Sequence, residues 1–251
     1  MKMKGLVALV NGASRGIGAA IAREFGKEGA KVVVVARTAE PGGRFPGTIG
    51  EVAAAINEAG GEAVPIQCDS TQEDQVERTV RQTLERYGKI DVVVNNLGVM
   101  IVSPVVSTQP RHFLLGLRVN VYAPFLMCHY ALPSMMEQRS GSIVNITSGA
   151  AWSRNGSNYA ATKAALNRYT ICLADEVREY NIAVNALDPG PIRTEVAEIL
   201  QPPDHNWSAY APPRAMGPPA VFLAVQDAKS FTGQVVRREE FRKTWPPVGN
   251  P

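Results

Sequence analysis

The sequence is poor in the side chains that hold metals or cross-links: three cysteines and three histidines in 251 residues. Cys68, Cys128 and Cys172 stand in apolar segments without paired ligand spacing, so no disulfide framework is implied and reduced, buried thiols are expected. His129 and His205 have no second ligand at metal spacing, and no metal site is expected. No apolar run approaches the ~18 residues of a membrane span. Met1-Lys2-Met3-Lys4 passes straight into an apolar stretch, so a signal peptide is not expected either. The net charge of +3 is small for the length, and the positive residues are dispersed, which argues against a nucleic-acid or membrane partner. With 45% apolar residues and no repeats, the expectation is one cytoplasmic α/β domain over 1–251.

Short apolar runs at Val32–Ala36, Ala63–Ile66 and Asp91–Val94 alternate with helix-like stretches at 49–60 and 72–87. That alternation predicts a parallel sheet with right-handed crossovers. In such sheets a ligand lies outside the carboxyl ends of the strands. The Pro/Gly-rich pieces at 41–47 and 202–219 read as loops within the domain.

Tyr159 and Lys163 are four residues apart, which on a helix places a phenol and an ammonium one turn apart on one face. A tyrosine ionises near pH ~10, so proton exchange near neutrality needs a depression of about 3–4 kcal/mol. A unit charge about 4 Å away at an effective dielectric of about 20 supplies roughly 4 kcal/mol, so Lys163 is of the right order. Towards the amino terminus, Leu6–Val10 runs into Asn11-Gly12-Ala13-Ser14-Arg15-Gly16-Ile17-Gly18 and then a helical pattern. This reads as strand, glycine turn and helix, with Gly12 suited to positive φ and Gly16 and Gly18 allowing a phosphate to approach the helix start. The spacing is G-x-x-x-G-x-G, not the general dinucleotide G-x-G-x-x-G.

Together the two segments resemble the short-chain dehydrogenase/reductase family. Asn95-Asn96-Leu97-Gly98 resembles its N-N-A-G segment, and Asp69 its adenine-contacting aspartate. Asn120, then Gly141–Ser148, then Asp188-Pro189-Gly190-Pro191-Ile192-Arg193-Thr194 follow in the family's order, over about residues 5 to 236. The resemblance implies a single-domain Rossmann fold, with a doubly wound parallel sheet of about seven strands flanked by helices. It also implies hydride transfer between a nicotinamide cofactor and a ketone, aldehyde or alcohol. In that scheme Tyr159 is the general acid/base and Lys163 binds the nicotinamide ribose and lowers the Tyr159 pKa. Ser148 polarises the substrate oxygen, with Thr147 as the rival for that position, and Asn120 holds a relay water. Cofactor contacts are implied for Gly12, Ser14, Arg15, Gly16, Ile17, Gly18, Arg37, Asp69, Asn95, Gly98, Tyr159, Lys163, Pro189, Gly190, Ile192 and Thr194. Two features depart from the family: the Ser148–Tyr159 interval is about two residues short, and Leu97 replaces an alanine.

A carboxylate at the end of the second strand favours a free ribose 2′-hydroxyl, and arginine favours a 2′-phosphate. Here that strand ends Val35-Ala36-Arg37 and the glycine turn supplies Arg15, so NADP is favoured over NAD, with Glu40 nearby as the opposing possibility. The longer loop from Thr38 to Thr48 resembles the hydroxysteroid dehydrogenase-like branch. Residues 195–217 occupy the place of a substrate lid, and their aromatic and aliphatic content predicts a largely apolar pocket. A packed connector is the other reading of that segment. The tail from Arg237 to Pro251 lacks the family's glycine-rich ending and is expected to pack across a neighbouring subunit. Family helices corresponding to 108–137 and 157–180 imply a homo-tetramer, with a dimer next. The alternative function is a cofactor-sensing or scaffold protein on the same fold.

Overall fold

The computed structural model of the chain describes residues 1–245. Its strands are β1 (Val7–Asn11), β2 (Lys31–Ala36), β3 (Glu62–Gln67), β4 (Val92–Asn95), β5 (Gly141–Ile146), β6 (Ile182–Asp188) and β7 (Val235–Arg237). They form one sheet in the order β3-β2-β1-β4-β5-β6-β7, and every pair is parallel. The helices are α1 (Gly16–Lys27), α2 (Ile49–Glu58), α3 (Glu73–Tyr87), α4 (Pro110–Leu117), α5 (Ala123–Gln138), α6 (Ser157–Glu176), α7 (Glu195–Leu200) and α8 (Gly217–Ala224).

The valine-rich strands suit a pleated surface, and β1, β4, β5 and β6 are buried along their whole length because helices cover both faces. Successive strand residues point to opposite faces. Ala8, Val10, Val32 and Val34 therefore pack with Ile21, Phe25, Val52 and Phe222 of α1, α2 and α8. Leu9, Val33, Val93 and Ile143 pack with Val76, Met127, Met135 and Leu173 of α3, α5 and α6. Each such side chain contributes about 1.5–3 kcal/mol on leaving water. Helix ends are set locally: Thr48 and Glu51 form a reciprocal capping box at α2, and Gly88 ends α3 in the left-handed region at φ 74°.

The expected helix over 108–137 is interrupted. Between α4 and α5, Arg118–Tyr122 forms a π-helical turn that carries Asn120 at its centre. Pro124 has no N–H, so the Asn120 carbonyl lacks its i+4 donor.

The start of the tail folds onto its own chain. Trp245 is 7% exposed and lies among Phe222, Phe231 and Phe241, with centroids 5.6, 6.2 and 5.0 Å away. Three aromatic side chains thus give the start of the tail a site within its own chain, and the part of the Arg237–Pro251 tail that spans 246–251 lies outside the described residues. Cys68 and Cys128 are buried as expected, whereas Cys172 is exposed on α6.

Candidate active site

The sheet order reverses between β1 and β4, and the predicted site residues other than Asn95 and Asn120 follow the carboxyl ends of β1, β2, β3, β4, β5 and β6 or lie on the helices beyond them. Gly12 turns the chain out of β1 at φ +75°, and a Cβ there would stand 2.8 Å from the Leu97 nitrogen. A Cβ on Gly18 would collide with the Gly12 carbonyl oxygen. These glycines let α1 begin directly against the end of β4. The N-cap of α1, Arg15, makes no side-chain cap, and the first turn carries no acid. Ser14 is buried at the turn and Ile17 packs on the core. The helix start thus offers N–H groups to an anion.

One anion already stands there. Gly16 donates its N–H to the Glu195 carboxylate at 3.0 Å. Thr194 packs its methyl group near Gly16, and its hydroxyl accepts the Ala197 N–H at 3.1 Å, capping α7.

At the adenosine end, Arg37 is 72% exposed and its guanidinium lies 3.8 Å from the Asp69 carboxylate. Asp69 accepts the N–H and hydroxyl of Thr71 on its other oxygen, at 3.0 and 2.8 Å. Arg15 reaches from the glycine turn into the 38–48 loop, donating to the Thr38 hydroxyl at 3.1 Å and the Gly47 carbonyl at 3.0 Å. Its buried Nε has no hydrogen-bond partner among the described residues.

Asn95 is not where the sequence reading placed it. Its side chain is 1% exposed and donates to Asn145 Oδ1 at 2.9 Å inside the sheet. Its neighbour Asn96 donates to the Gly12 carbonyl at 2.8 Å. Alternation along β4 turns the first asparagine inward and leaves the second to brace the glycine turn.

The reacting groups lie at the ends of β4 and β5. Ser148 follows β5, and its hydroxyl faces the Tyr159 phenol, opposing the upward push that burial gives to the Tyr159 pKa. The Thr147 hydroxyl is buried and donates to Asn167. Lys163 is 3% exposed and donates to the Ile146 carbonyl at 2.8 Å. Burial drives its pKa down to about 8, against the opposing pull of Asp188. Its Nζ stands 5.9 Å from the Tyr159 ring centroid. Burial, above all, and Asp188 raise the Tyr159 pKa while the Ser148 hydroxyl lowers it, and the Lys163 ammonium is bonded to β5. Gly98 sits between Asn120 and Lys163, where a Cβ would stand 3.6 Å from Asn120 Oδ1 and from Lys163 Nζ.

Asn120 is fully buried. Its amide accepts the Val99 N–H at 2.8 Å and donates to the Val99 carbonyl at 2.8 Å and to the Thr162 hydroxyl at 2.9 Å. Thr162 donates in turn to the Tyr159 carbonyl at 2.8 Å. The Asn120 side chain thus braces the 98–100 segment against α6 and has no donor left for a water.

Beyond β6, Gly190 adopts φ +62° and donates to Asp188 Oδ1 at 3.0 Å. Ile192 is buried and bridges to Ala211, closing 193–210 into a loop over the site. Within that loop His205, Trp207 and Tyr210 pack on one another with centroids 4.5–5.2 Å apart, so the aromatic residues expected to line a pocket form a cluster of their own. Ile199 and Leu200 on α7 remain about half exposed.

The profile of the short chain dehydrogenase family matches residues 6–204. The chain belongs to the short-chain dehydrogenase family. Hydroxysteroid dehydrogenase-like protein 2 of Danio rerio is 32% identical over 247 residues, covering 96% of this chain and 59% of that protein. The chain therefore spans little more than half the length of that relative. L-fucose dehydrogenase of Oryctolagus cuniculus is 34% identical over 245 residues, covering 91% of this chain and 82% of that one. Among solved structures, a gluconate 5-dehydrogenase from Burkholderia cenocepacia J2315 in complex with NADP and tartrate superposes with a TM-score of 0.82 at 27% identity, covering 93% of each chain. The chain thus carries a short-chain dehydrogenase domain, a family with members solved in complex with a nicotinamide cofactor such as NADP. The uncapped start of α1, the close-packed Gly12 and Gly18, and the Gly16 N–H that already binds a carboxylate fit the diphosphate of such a cofactor.

The sequence reading missed Asn96, Thr162 and Glu195. Asn96 lies inside a motif whose spacing does not show which asparagine faces the glycine turn, and Thr162 lies inside Tyr159–Lys163. Glu195 carried no sequence signal, because its contact with Gly16 spans 179 positions.

Proposed function

We propose that the chain interconverts a ketone or aldehyde and an alcohol, with NADP(H) preferred, using Tyr159 as general acid/base. The observation that carries this reading is the meeting of Ser148, Tyr159 and Lys163 at the end of β5, beside the anion-ready start of α1. The bound nicotinamide supplies or accepts the hydride. In reduction the Tyr159 hydroxyl gives its proton to the substrate oxygen, and in oxidation the phenolate takes it back. The Ser148 hydroxyl donates to the same oxygen and stabilises the charge that develops there. Lys163 Nζ stands beside Gly98, and its ammonium would hold the nicotinamide ribose. The relay water belongs on the Asn120 main-chain carbonyl, left without its i+4 donor by Pro124, and not on the engaged side-chain amide.

The preference for NADP rests on Arg15 and Arg37, with the unpartnered Arg15 Nε as a donor for a 2′-phosphate. The remaining predicted cofactor residues, Gly12, Ser14, Gly16, Ile17, Gly18, Asp69, Gly98, Pro189, Gly190, Ile192 and Thr194, are assigned to the same cofactor, with 195–217 as the lid. The substrate is a small carbonyl or alcohol compound of moderate apolarity, met by Ile199 and Leu200 and by Trp152, which is 55% exposed four residues after Ser148. The exposed Leu114, Tyr122 and Phe125 on α4, the π turn and α5 support a homo-tetramer or dimer. Titration of the purified chain with NADPH and NADH, followed by consumption of the tighter ligand against aliphatic, aromatic and steroid-like ketones, tests the reading. Tighter NADPH binding with turnover supports it. Binding without turnover on every ketone favours a cofactor-sensing protein, and tighter NADH binding removes the roles given to the two arginines.

A further inference from the structure

We propose that Arg238 is a positioning residue that presents the Pro189–Gly190 turn to the nicotinamide end of the cofactor; the assignment rests on the cofactor reading given above. In the β6–β7 pair Asp188 stands opposite Arg237, so Pro189 and Arg238 leave the sheet side by side. The Arg238 side chain is 15% exposed. Its Nε donates to the Pro189 carbonyl at 2.7 Å, and its Nη2 pairs with Glu239 Oε1 at 3.2 Å. The same Glu239 oxygen lies 3.0 Å from where a Gly190 Cβ would stand, so carboxylate and guanidinium close over the outer side of the turn. On the inner side Gly190 donates to Asp188 Oδ1 at 3.0 Å. The turn is thus held from two strands, by its own Asp188 and by the first residues of the tail.

Both holds act on groups that otherwise drift. Pro189 has no N–H, so its carbonyl is the one backbone group through which that residue can be anchored. Gly190 at φ +62° is the least restricted residue of the turn. A mostly buried guanidinium on the Pro189 carbonyl fixes the peptide plane between the two and leaves the opposite side of the turn for the ligand. The segment that carries Arg238 is itself anchored, because Trp245 seven residues later is buried among Phe222, Phe231 and Phe241. A tail that lacks the family's glycine-rich ending is here a strut for the cofactor turn.

The test compares NADPH with 2′-phospho-ADP-ribose, which lacks the nicotinamide, by calorimetric titration of wild type, Arg238→Met and Arg238→Gln. Loss of the charge-assisted bond is expected to weaken NADPH about tenfold in Arg238→Met and to leave 2′-phospho-ADP-ribose within about twofold of wild type. Arg238→Gln, which keeps a neutral donor, is expected to show an intermediate loss, and it carries the comparison if the Met variant does not fold. An equal loss for both ligands, or none for either, overturns the assignment, since a merely structural role does not distinguish them. A wild type that binds neither ligand overturns the cofactor reading itself, and this assignment with it.

Discussion

The Lys163 ammonium donates to the Ile146 carbonyl at 2.8 Å, and the Tyr159 ring centroid lies 5.9 Å from it. The lysine is held by the end of β5, and burial moves its pKa from 10.5 to about 8. A lysine with a depressed folded-state pKa costs stability wherever the unfolded chain stays protonated and the folded chain does not welcome the proton. That cost is full below about pH 8 and fades between about pH 8 and 10.5. Lys163→Met is therefore expected to lose activity yet gain about 1–2 kcal/mol at pH 7, net of the unpaired Ile146 carbonyl. Urea unfolding of both proteins at pH 7 and pH 10 checks this, with the difference shrinking at the higher pH.

Thr147 and Ser148 separate stability from chemistry. Thr147→Val removes a buried hydrogen bond to Asn167 and is expected to cost about 1–2 kcal/mol with kcat little changed. Ser148→Ala is expected to lower kcat by about a hundredfold with unfolding unchanged. Steady-state rates and thermal melts of the two variants decide it; the reverse pattern would assign the substrate oxygen to Thr147.

Glu195 occupies a Gly16 N–H at the start of α1, where a diphosphate binds under the proposed function. Removing that negative charge relieves the repulsion between lid and ligand. Glu195→Gln is expected to tighten NADPH about three- to tenfold at low salt, with the gain reduced at high salt. Equal or weaker binding in the variant rules out the competition.

Trp245 closes the aromatic cluster under the tail. Trp245→Ala is expected to destabilise the chain by about 3–4 kcal/mol. Thermal unfolding within a degree or two of wild type would show that the cluster holds without it.

The sheet was legible in the sequence because strand and turn signals are local: valine runs mark β1, β2 and β4, and the Gly12–Gly18 spacing marks the turn into α1. Tyr159 and Lys163 were legible because one helix fixes their spacing. What escaped is set by contacts across the chain. Asn95 and Asn96 differ only in which face of β4 each presents, and that depends on where the strand ends. The Lys163 bond to Ile146, the Glu195 bond to Gly16 and the Arg238 bond to Pro189 join residues 17, 179 and 49 positions apart. The π turn at Asn120 is the intermediate case, since Pro124 announces a missing donor without saying how the helix responds.

The central claim is the acid/base role of Tyr159, and comparison of wild type with Tyr159→Phe tests it most directly, in NADPH affinity and in the rate of ketone-dependent NADPH consumption. Affinity unchanged within about twofold and a rate lowered by at least about a thousandfold are expected. A Phe variant that retains a tenth or more of the wild-type rate would contradict it.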